Sequence, residues 1–237
     1  MLEFRNVTRK YLGRVALDGV SFTLGEGKVG LVLGPNGAGK TTLMKLAVGL
    51  TRQTSGEVLF NGSRIGAKTK AQVAYMPTEN YFYSYMTVAD AGKYYADFFA
   101  DFRKDHFERW LRDMELEAGD KISKLSSGMA SKLRLALILS RDAKLMMFDE
   151  PLNGVDILTR QQVLQAIMTA RDAGRTLLIS THLVDELEDV VDECLFLREG
   201  RVVCAGKKDE ICVGKSLKER YLEIYGQPQP EGGVKHV

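Results

Sequence analysis

Cysteine, net charge and long apolar runs are all scarce in this chain of 237 residues. There are three cysteines, Cys194, Cys204 and Cys212. An odd number without CxxC spacing gives neither a zinc ligand set nor a disulfide framework, so buried reduced thiols are expected. Lys plus Arg number 33 and Asp plus Glu 31, a net charge of +2. So close a balance provides no field for nucleic acid or an anionic lipid surface. No segment approaches the roughly 20 apolar residues that cross a bilayer. The first residues, MLEFRNVTRKY, carry charges where a secretory signal needs an apolar core. A cytoplasmic protein is expected, and work at a membrane would require a partner to supply the spans.

A hydrophobic content of 45% and a charged content of 27% are ordinary for a globular chain. The length suits one α/β domain. Leu2, Phe4 and Val7, the alternating Val20, Phe22 and Leu24, and Val58–Phe60 before Asn61-Gly62 predict an antiparallel N-terminal β subdomain. KVGLVL (28–33), LMMF (145–148) and TLLIS (176–180) predict buried strands of a mostly parallel sheet. CLFLREGRVVCAG, from Cys194, predicts two more strands around Glu199-Gly200. Leu43, Leu46, Ala47 and Leu50 fall on one helical face, as do Leu183, Leu187, Val190 and Val191. Between Thr87 and Ser140 the spacing turns helical: Val88, Ala91, Tyr95, Phe98, Phe99 and Phe102, then Phe107, Trp110, Leu111 and Met114. The expected organisation is a domain over residues 1–225 with a helical insertion at about 87–140, and a loose tail over 226–237, GQPQPEGGVKHV.

GPNGAGKT, Gly34 to Thr41, has the P-loop spacing and lies between an apolar run and a helical pattern. Glycines let the backbone of Gly34, Asn36, Gly37, Ala38 and Gly39 turn its N–H groups inward around phosphate. Lys40 supplies a point charge for the β- and γ-phosphates, and the Thr41 hydroxyl suits Mg²⁺. LMMFDE ends a buried strand in Asp149, suited to the Mg²⁺ hydration shell, and Glu150, suited to polarising the attacking water. LSSGM, from Leu125, opens a helix with good N-cap serines, which makes a second anion-attracting site far from the first.

In order along the chain stand Tyr11 in RKYLGRVALDGVSF, the P-loop through Thr42, YMPTEN, LSSGM, LMMFDEP, NGVD and STH. The set resembles the ATP-binding subunit of ABC transporters over nearly the whole chain. The resemblance implies a P-loop NTPase fold with ATP and Mg²⁺ as ligands. It also implies two subunits packed head to tail, so that the P-loop of one and the LSSGM helix of the other clamp one ATP. Tyr11 then matches the aromatic stacked on adenine, and Ser126 and Gly128 the contacts to the γ-phosphate across the interface. His182 matches the histidine that orients the water, and Asp156 in NGVD the aspartate at the dimer interface. The partners implied are a second ATPase subunit, identical or not, and a membrane-spanning permease, with no nucleic acid and no zinc. YADFFADF before a short helix and SSGM resembles exporter subunits.

Three departures stand out. Thr78 occupies the place of the usual glutamine that touches Mg²⁺ and senses the membrane partner. Ser127 and Met129 replace the commoner Gly and Gln. Ile157 follows Asp156 where proline is frequent. The run NYFYSYM, from Asn80, lies where the family receives a helix of the membrane subunit. No basic residue occurs from Pro77 to Gly92, which argues against stacking on nucleic acid. A soluble ATPase of the same family, or a catalytically degenerate half of a heterodimer, are the alternatives. A GTPase would need a base-reading NKxD motif, which is absent.

Overall fold

The computed structural model describes residues 1–79 and 81–226. In chain order its elements are β1 (Leu2–Tyr11), β2 (Arg14–Leu24), β3 (Val29–Leu33), α1 (Lys40–Ala47), β4 (Ser55–Phe60), β5 (Ser63–Arg64), α2 (Ala67–Lys70) and β6 (Val73–Met76). Then come α3 (Val88–Phe98), α4 (Lys104–Asp113), α5 (Ser127–Leu139), β7 (Leu145–Asp149), α6 (Ile157–Asp172) and β8 (Thr176–Thr181). The last are β9 (Glu193–Arg198), β10 (Arg201–Lys207), α7 (Lys208–Ile211) and α8 (Leu217–Tyr225).

Two sheets form. One is antiparallel, in the order β2-β1-β4-β5. The other has the order β10-β9-β3-β8-β7-β6. Its β3, β6, β7, β8 and β9 pair in parallel, and β10 closes it antiparallel. The parallel strands are apolar throughout because both faces are covered. Met146 and Phe148 of β7 face the core shared with the helical layer, whereas Leu145 and Met147 face the core shared with α1 and the antiparallel sheet. Helices α3, α4 and α5 carry most of the stretch from Val88 to Leu139, and Ser126 caps α5 as its spacing predicts.

Three local expectations need correction. Helix α1 stops before Leu50, which is exposed. Gly49 adopts φ 69°, and its N–H reaches Leu46 O while that of Leu50 reaches Lys45 O, at 3.0 and 2.8 Å. This Schellman closure turns the chain away. Phe99 and Phe102 lie beyond α3, because Phe99 is already extended, and both rings pack on Tyr95. Between His182 and β9 there is no α-helix, only a 3₁₀ turn at Glu188–Val190. Leu187, Val190 and Val191 are still buried. The Glu188 carbonyl accepts from Lys208 Nζ at 2.9 Å and its carboxylate caps Leu217 N at 2.8 Å. Contacts to the C-terminal helices thus use Glu188 through both its backbone carbonyl, which a local helix would have needed, and its side chain. The tail from Gln227 onward lies outside the described residues.

Candidate functional site

Parallel strands end on the same edge of a sheet, and ligands bind in the crevice outside those ends. Here β3 delivers the glycine loop there, β7 delivers Asp149 and Glu150, β8 delivers Thr181 and His182, and β6 delivers Pro77 and Thr78. The loop's shape requires glycine at both ends. A Cβ on Gly34 would meet the Leu197 carbonyl oxygen at 2.4 Å, and one on Gly39 the Ala16 oxygen at 2.8 Å. Gly39 also holds φ 110°, a region open to few L side chains. Helix α1 begins at the next residue, so its first-turn N–H groups point into the loop's concavity.

Lys40 is buried at the foot of this loop. Its ammonium donates to Gly34 O at 2.7 Å and Pro35 O at 3.3 Å, and lies 3.0 Å from Glu150 Oε1. Glu150 Oε2 lies 2.9 Å from His182 Nδ1. Glu150 Oε1 is buried, and the Lys40 ammonium meets it as an ion pair rather than a directed hydrogen bond. Glu150 also has φ 50°, a strained value for a residue with a side chain, of the kind that persists where surrounding contacts over-determine it. Asp149 is fully buried. Its Oδ1 accepts from the Ser180 hydroxyl and its Oδ2 from the Tyr75 hydroxyl at 3.2 Å. Burial, and then the neighbouring Asp149, push the Tyr75 phenol well up, so it stays a donor.

Thr78, in the place of the expected glutamine, donates from its hydroxyl to the Asp149 carbonyl at 3.2 Å. The turn is held from the other side by Arg134 of α5. Its NH1 donates to Pro77 O at 3.0 Å and to Thr78 O, and its Nε to Ala130 O at 3.3 Å. Desolvation lowers the Arg134 pKa, which fits a cation satisfied by carbonyls.

Tyr11, Asn36, Gly37, Ala38, Gly39, Lys40, Thr41, Thr42, Thr78 and Glu150 line a single cleft of about 380 Å³. Arg9 covers one face of the Tyr11 ring, 4.3 Å from its centroid, and the ring is 43% exposed at the cleft. Gly34 lies just beneath, and Asp149 and His182 flank Glu150. The cradle, the Lys40–Glu150 ion pair and the Thr41–Asp149 oxygen donors fit a nucleotide triphosphate with a hard cation.

Ser126, Gly128 and Asp156 are absent from that lining. Ser126 Oγ accepts from Met129 N at 3.2 Å, the N-cap bond of α5. Asp156 caps α6, accepting from Thr159 N at 3.0 Å and Thr159 Oγ1 at 2.8 Å. A Cβ on Gly128 would meet Thr159 Oγ1 at 3.2 Å. The two helix starts therefore abut, and the Ser127 hydroxyl ties them through Gly154 O at 3.1 Å. Tyr83 and Tyr85 are exposed and stack on each other at 5.4 Å.

Some site residues are not singled out by the sequence reading. Arg14, Ala16 and Asn153 line the cleft. Arg14 follows Tyr11 by three residues and Asn153 stands in NGVD, so proximity to motifs was the available signal. Ser180 opens the STH motif, but nothing local in it points to Asp149, and Arg134 stands in no motif, because their contacts cross between strands and layers.

A glycine cradle between a buried strand and a helix, faced by a two-carboxylate strand end, defines a P-loop nucleotide-binding domain. The chain belongs to the ABC transporter family, whose profile matches residues 17–153. It is 33% identical over 205 residues to an uncharacterized ABC transporter ATP-binding protein of Nostoc, covering 83% of this chain and 61% of the relative. It is 30% identical over 211 residues to a lantibiotic transport ATP-binding protein of Streptococcus pyogenes, covering 88% and 92%. The solved ATP-binding subunit of an ABC transporter superposes with TM-score 0.85 at 28% identity, covering 94% of this chain and 99% of that one. The chain spans about three fifths of the length of the Nostoc relative and of a second uncharacterized ABC transporter ATP-binding protein, from Synechocystis, 61% and 58%.

Proposed function

We propose that this chain is the ATP-hydrolysing subunit of an ABC transporter and drives a separate membrane-spanning partner. The observation that carries the reading is the Lys40–Glu150–His182 array beside the glycine cradle. Among the described residues no helix is long and apolar enough to cross a membrane. The exposed Tyr83–Tyr85 pair beside the Thr78 turn offers an aromatic surface for a helix of the partner. Export is the favoured direction, because a lantibiotic transport protein is among the relatives and is covered nearly end to end.

ATP fits with its adenine against the open part of the Tyr11 ring and its phosphates in the cradle of Asn36–Thr42. Lys40 holds the β- and γ-phosphates. Mg²⁺, held by Thr41 and, through water, by Asp149, would neutralise charge developing on the phosphates. Thr78 sits at the cleft but its hydroxyl already binds the Asp149 carbonyl, which makes it a poor direct ligand. Glu150 takes the proton of the attacking water, and His182 orients Glu150 and contacts the γ-phosphate side. General-base assistance of this kind contributes roughly 10²–10⁴ in rate.

Ser126 and Gly128 lie outside the cleft of their own subunit. Two copies arranged head to tail would bring the α5 N-terminus of one over the cleft of the other, with Asp156 at the seam. That accounts for two anion-attracting sites in one chain. The experiment is Mg²⁺-dependent ATP turnover by the purified chain and its Glu150→Gln variant. Turnover lost in the variant with ATP binding retained supports the reading; equal turnover in both removes the role of Glu150, and no Mg²⁺-dependent turnover by the wild-type chain overturns the reading.

A further inference from the structure

We infer that Ser180 is a positioning residue that holds both strand-end carboxylates of the site, an inference that rests on the ATPase reading above. The register of the parallel pair β7–β8 sets Ser180 beside Asp149. Directly paired residues on adjacent strands project to the same face, so the serine hydroxyl meets the aspartate side chain. Ser180 is fully buried. Its Oγ donates to Asp149 Oδ1 at 2.5 Å and accepts from the Glu150 N–H at 3.0 Å.

The direction of the hydroxyl is fixed by its partners. An amide N–H can only donate, so the serine lone pair faces Glu150. An ionised carboxylate can only accept, so the serine proton faces Asp149. A chain running from amide to hydroxyl to carboxylate strengthens each of its bonds. One oxygen therefore does two things. It holds the Asp149 carboxylate in one rotamer, together with Tyr75 on the other oxygen. It also pins the amide of Glu150, whose φ of 50° is the strained feature of this strand end.

The same strand continues to His182, which reaches the Glu150 carboxylate. The end of β8 and the residue just past it thus grip Glu150 at both ends, through its backbone at Ser180 and its side chain at His182. Nothing in the P-loop pattern requires a hydroxyl at this place, because an apolar residue would pair equally well in the sheet. The Glu150 N–H also reaches the Ser180 carbonyl at 3.0 Å. Removal of the hydroxyl therefore leaves that amide bonded and the sheet intact, but frees the geometry of the two carboxylates.

The test is Ser180→Ala, with Ser180→Cys as the variant that keeps size and a weak donor. Ser180→Ala is expected to lower kcat about 10- to 100-fold with KM for ATP within threefold, and Ser180→Cys to fall between. In a Glu150→Gln background, measured in single turnover, the same substitution should cost less than threefold, because residues acting through one another are not additive. Calorimetric ATP affinity in that background should lose about fivefold or more of its gain from Mg²⁺, with affinity in EDTA unchanged.

Wild-type kcat in Ser180→Ala overturns the inference, as does a fully additive loss with Glu150→Gln. So does a fall in ATP affinity that is equal with Mg²⁺ and with EDTA, the signature of a loosened fold. If Ser180→Ala does not fold, Ser180→Cys decides: full kcat and full Mg²⁺ gain overturn the role, and an intermediate loss of both supports it. Turnover undiminished in Lys40→Ala would instead remove the ATPase reading itself.

Discussion

The Lys40 ammonium and the Glu150 carboxylate are ion-paired at 3.0 Å, with side chains only 6% and 10% exposed. Each is the partner the other loses when phosphate arrives. On the proposed function, a γ-phosphate in the cradle would compete with Glu150 for the lysine and free that carboxylate, already in contact with His182, to meet water. Lys40→Ala is therefore expected to weaken ATP binding at least tenfold and to abolish turnover. Binding of a fluorescent ATP analogue, followed by steady-state hydrolysis, measures both, and unchanged values would remove the assignment of the cradle.

Glu150→Gln removes the competitor for Lys40 but keeps the side-chain shape. ATP affinity should stay equal or rise severalfold, while turnover falls roughly 10²–10⁴. The ATP-bound variant should accumulate as a dimer to an extent that saturates with nucleotide, as mass action requires. Size-exclusion chromatography across an ATP series reads this directly. A variant that remains monomeric at saturating ATP would leave Glu150 catalytic but end the two-subunit clamp.

The separation of Ser126 from the cleft of its own chain predicts complementation. Ser126→Arg and Lys40→Ala should each be inactive alone, yet a mixture should recover activity, since one interface of the mixed dimer keeps an intact lysine and an intact serine. Tagged subunits co-purified with ATP establish that mixed dimers form. Mixed dimers without activity would mean the two sites do not share a nucleotide.

Arg134 holds the Thr78 turn to the helix that Ser126 caps. Arg134→Ala leaves the Pro77 and Thr78 carbonyls without their cationic donor and should destabilise the fold by about 1.5–3 kcal/mol, the usual range for a bond to a charged group. Urea unfolding with an unchanged slope measures the loss. If this clamp joins the nucleotide cleft to the α5 start, ATP-driven dimerisation should weaken more than ATP binding by the single subunit. An equal loss in both would reduce Arg134 to a structural contact.

Burial pushes the Cys194 thiol up to about 12. Burial raises Cys204 and Cys212 as well. Thiolate is the reactive form, so at pH 8 all three should react slowly in the native protein, the half-buried Cys204 first, and all three rapidly in denaturant. A chromogenic thiol assay with and without guanidinium counts them. Because the folded value lies above the unfolded one, Cys194 supports the fold fully below about pH 9. That support is lost progressively as pH rises toward 12. A flat stability from pH 9 to 11 would contradict this.

Much of the fold was legible because its signals are local. Continuous apolar runs marked β3, β7 and β8, and Asn61-Gly62 marked the hairpin between β4 and β5, where φ is 49° and 73°. The glycine loop declares itself because a tight turn around an anion restricts residue type at fixed offsets. The apolar spacing after His182 is helical in period, yet it serves a turn held by Lys208 and Leu217, neither of them local. Leu50 fits the helical face of α1 in spacing, yet Gly49 ends the helix first.

By itself the sequence determined which residues bear charge and hydroxyl groups, where the chain turns, and that the P-loop lies between a strand and a helix. Those features depend on side chains and backbone preferences within a few residues. Tertiary structure alone decided that Ser180 meets Asp149 and the Glu150 amide, that Arg134 grips the Thr78 turn, and that Lys40 pairs with Glu150. These contacts join residues 31, 30, 56 and 110 positions apart. They depend on strand register and the packing of separate layers, and no local pattern records either.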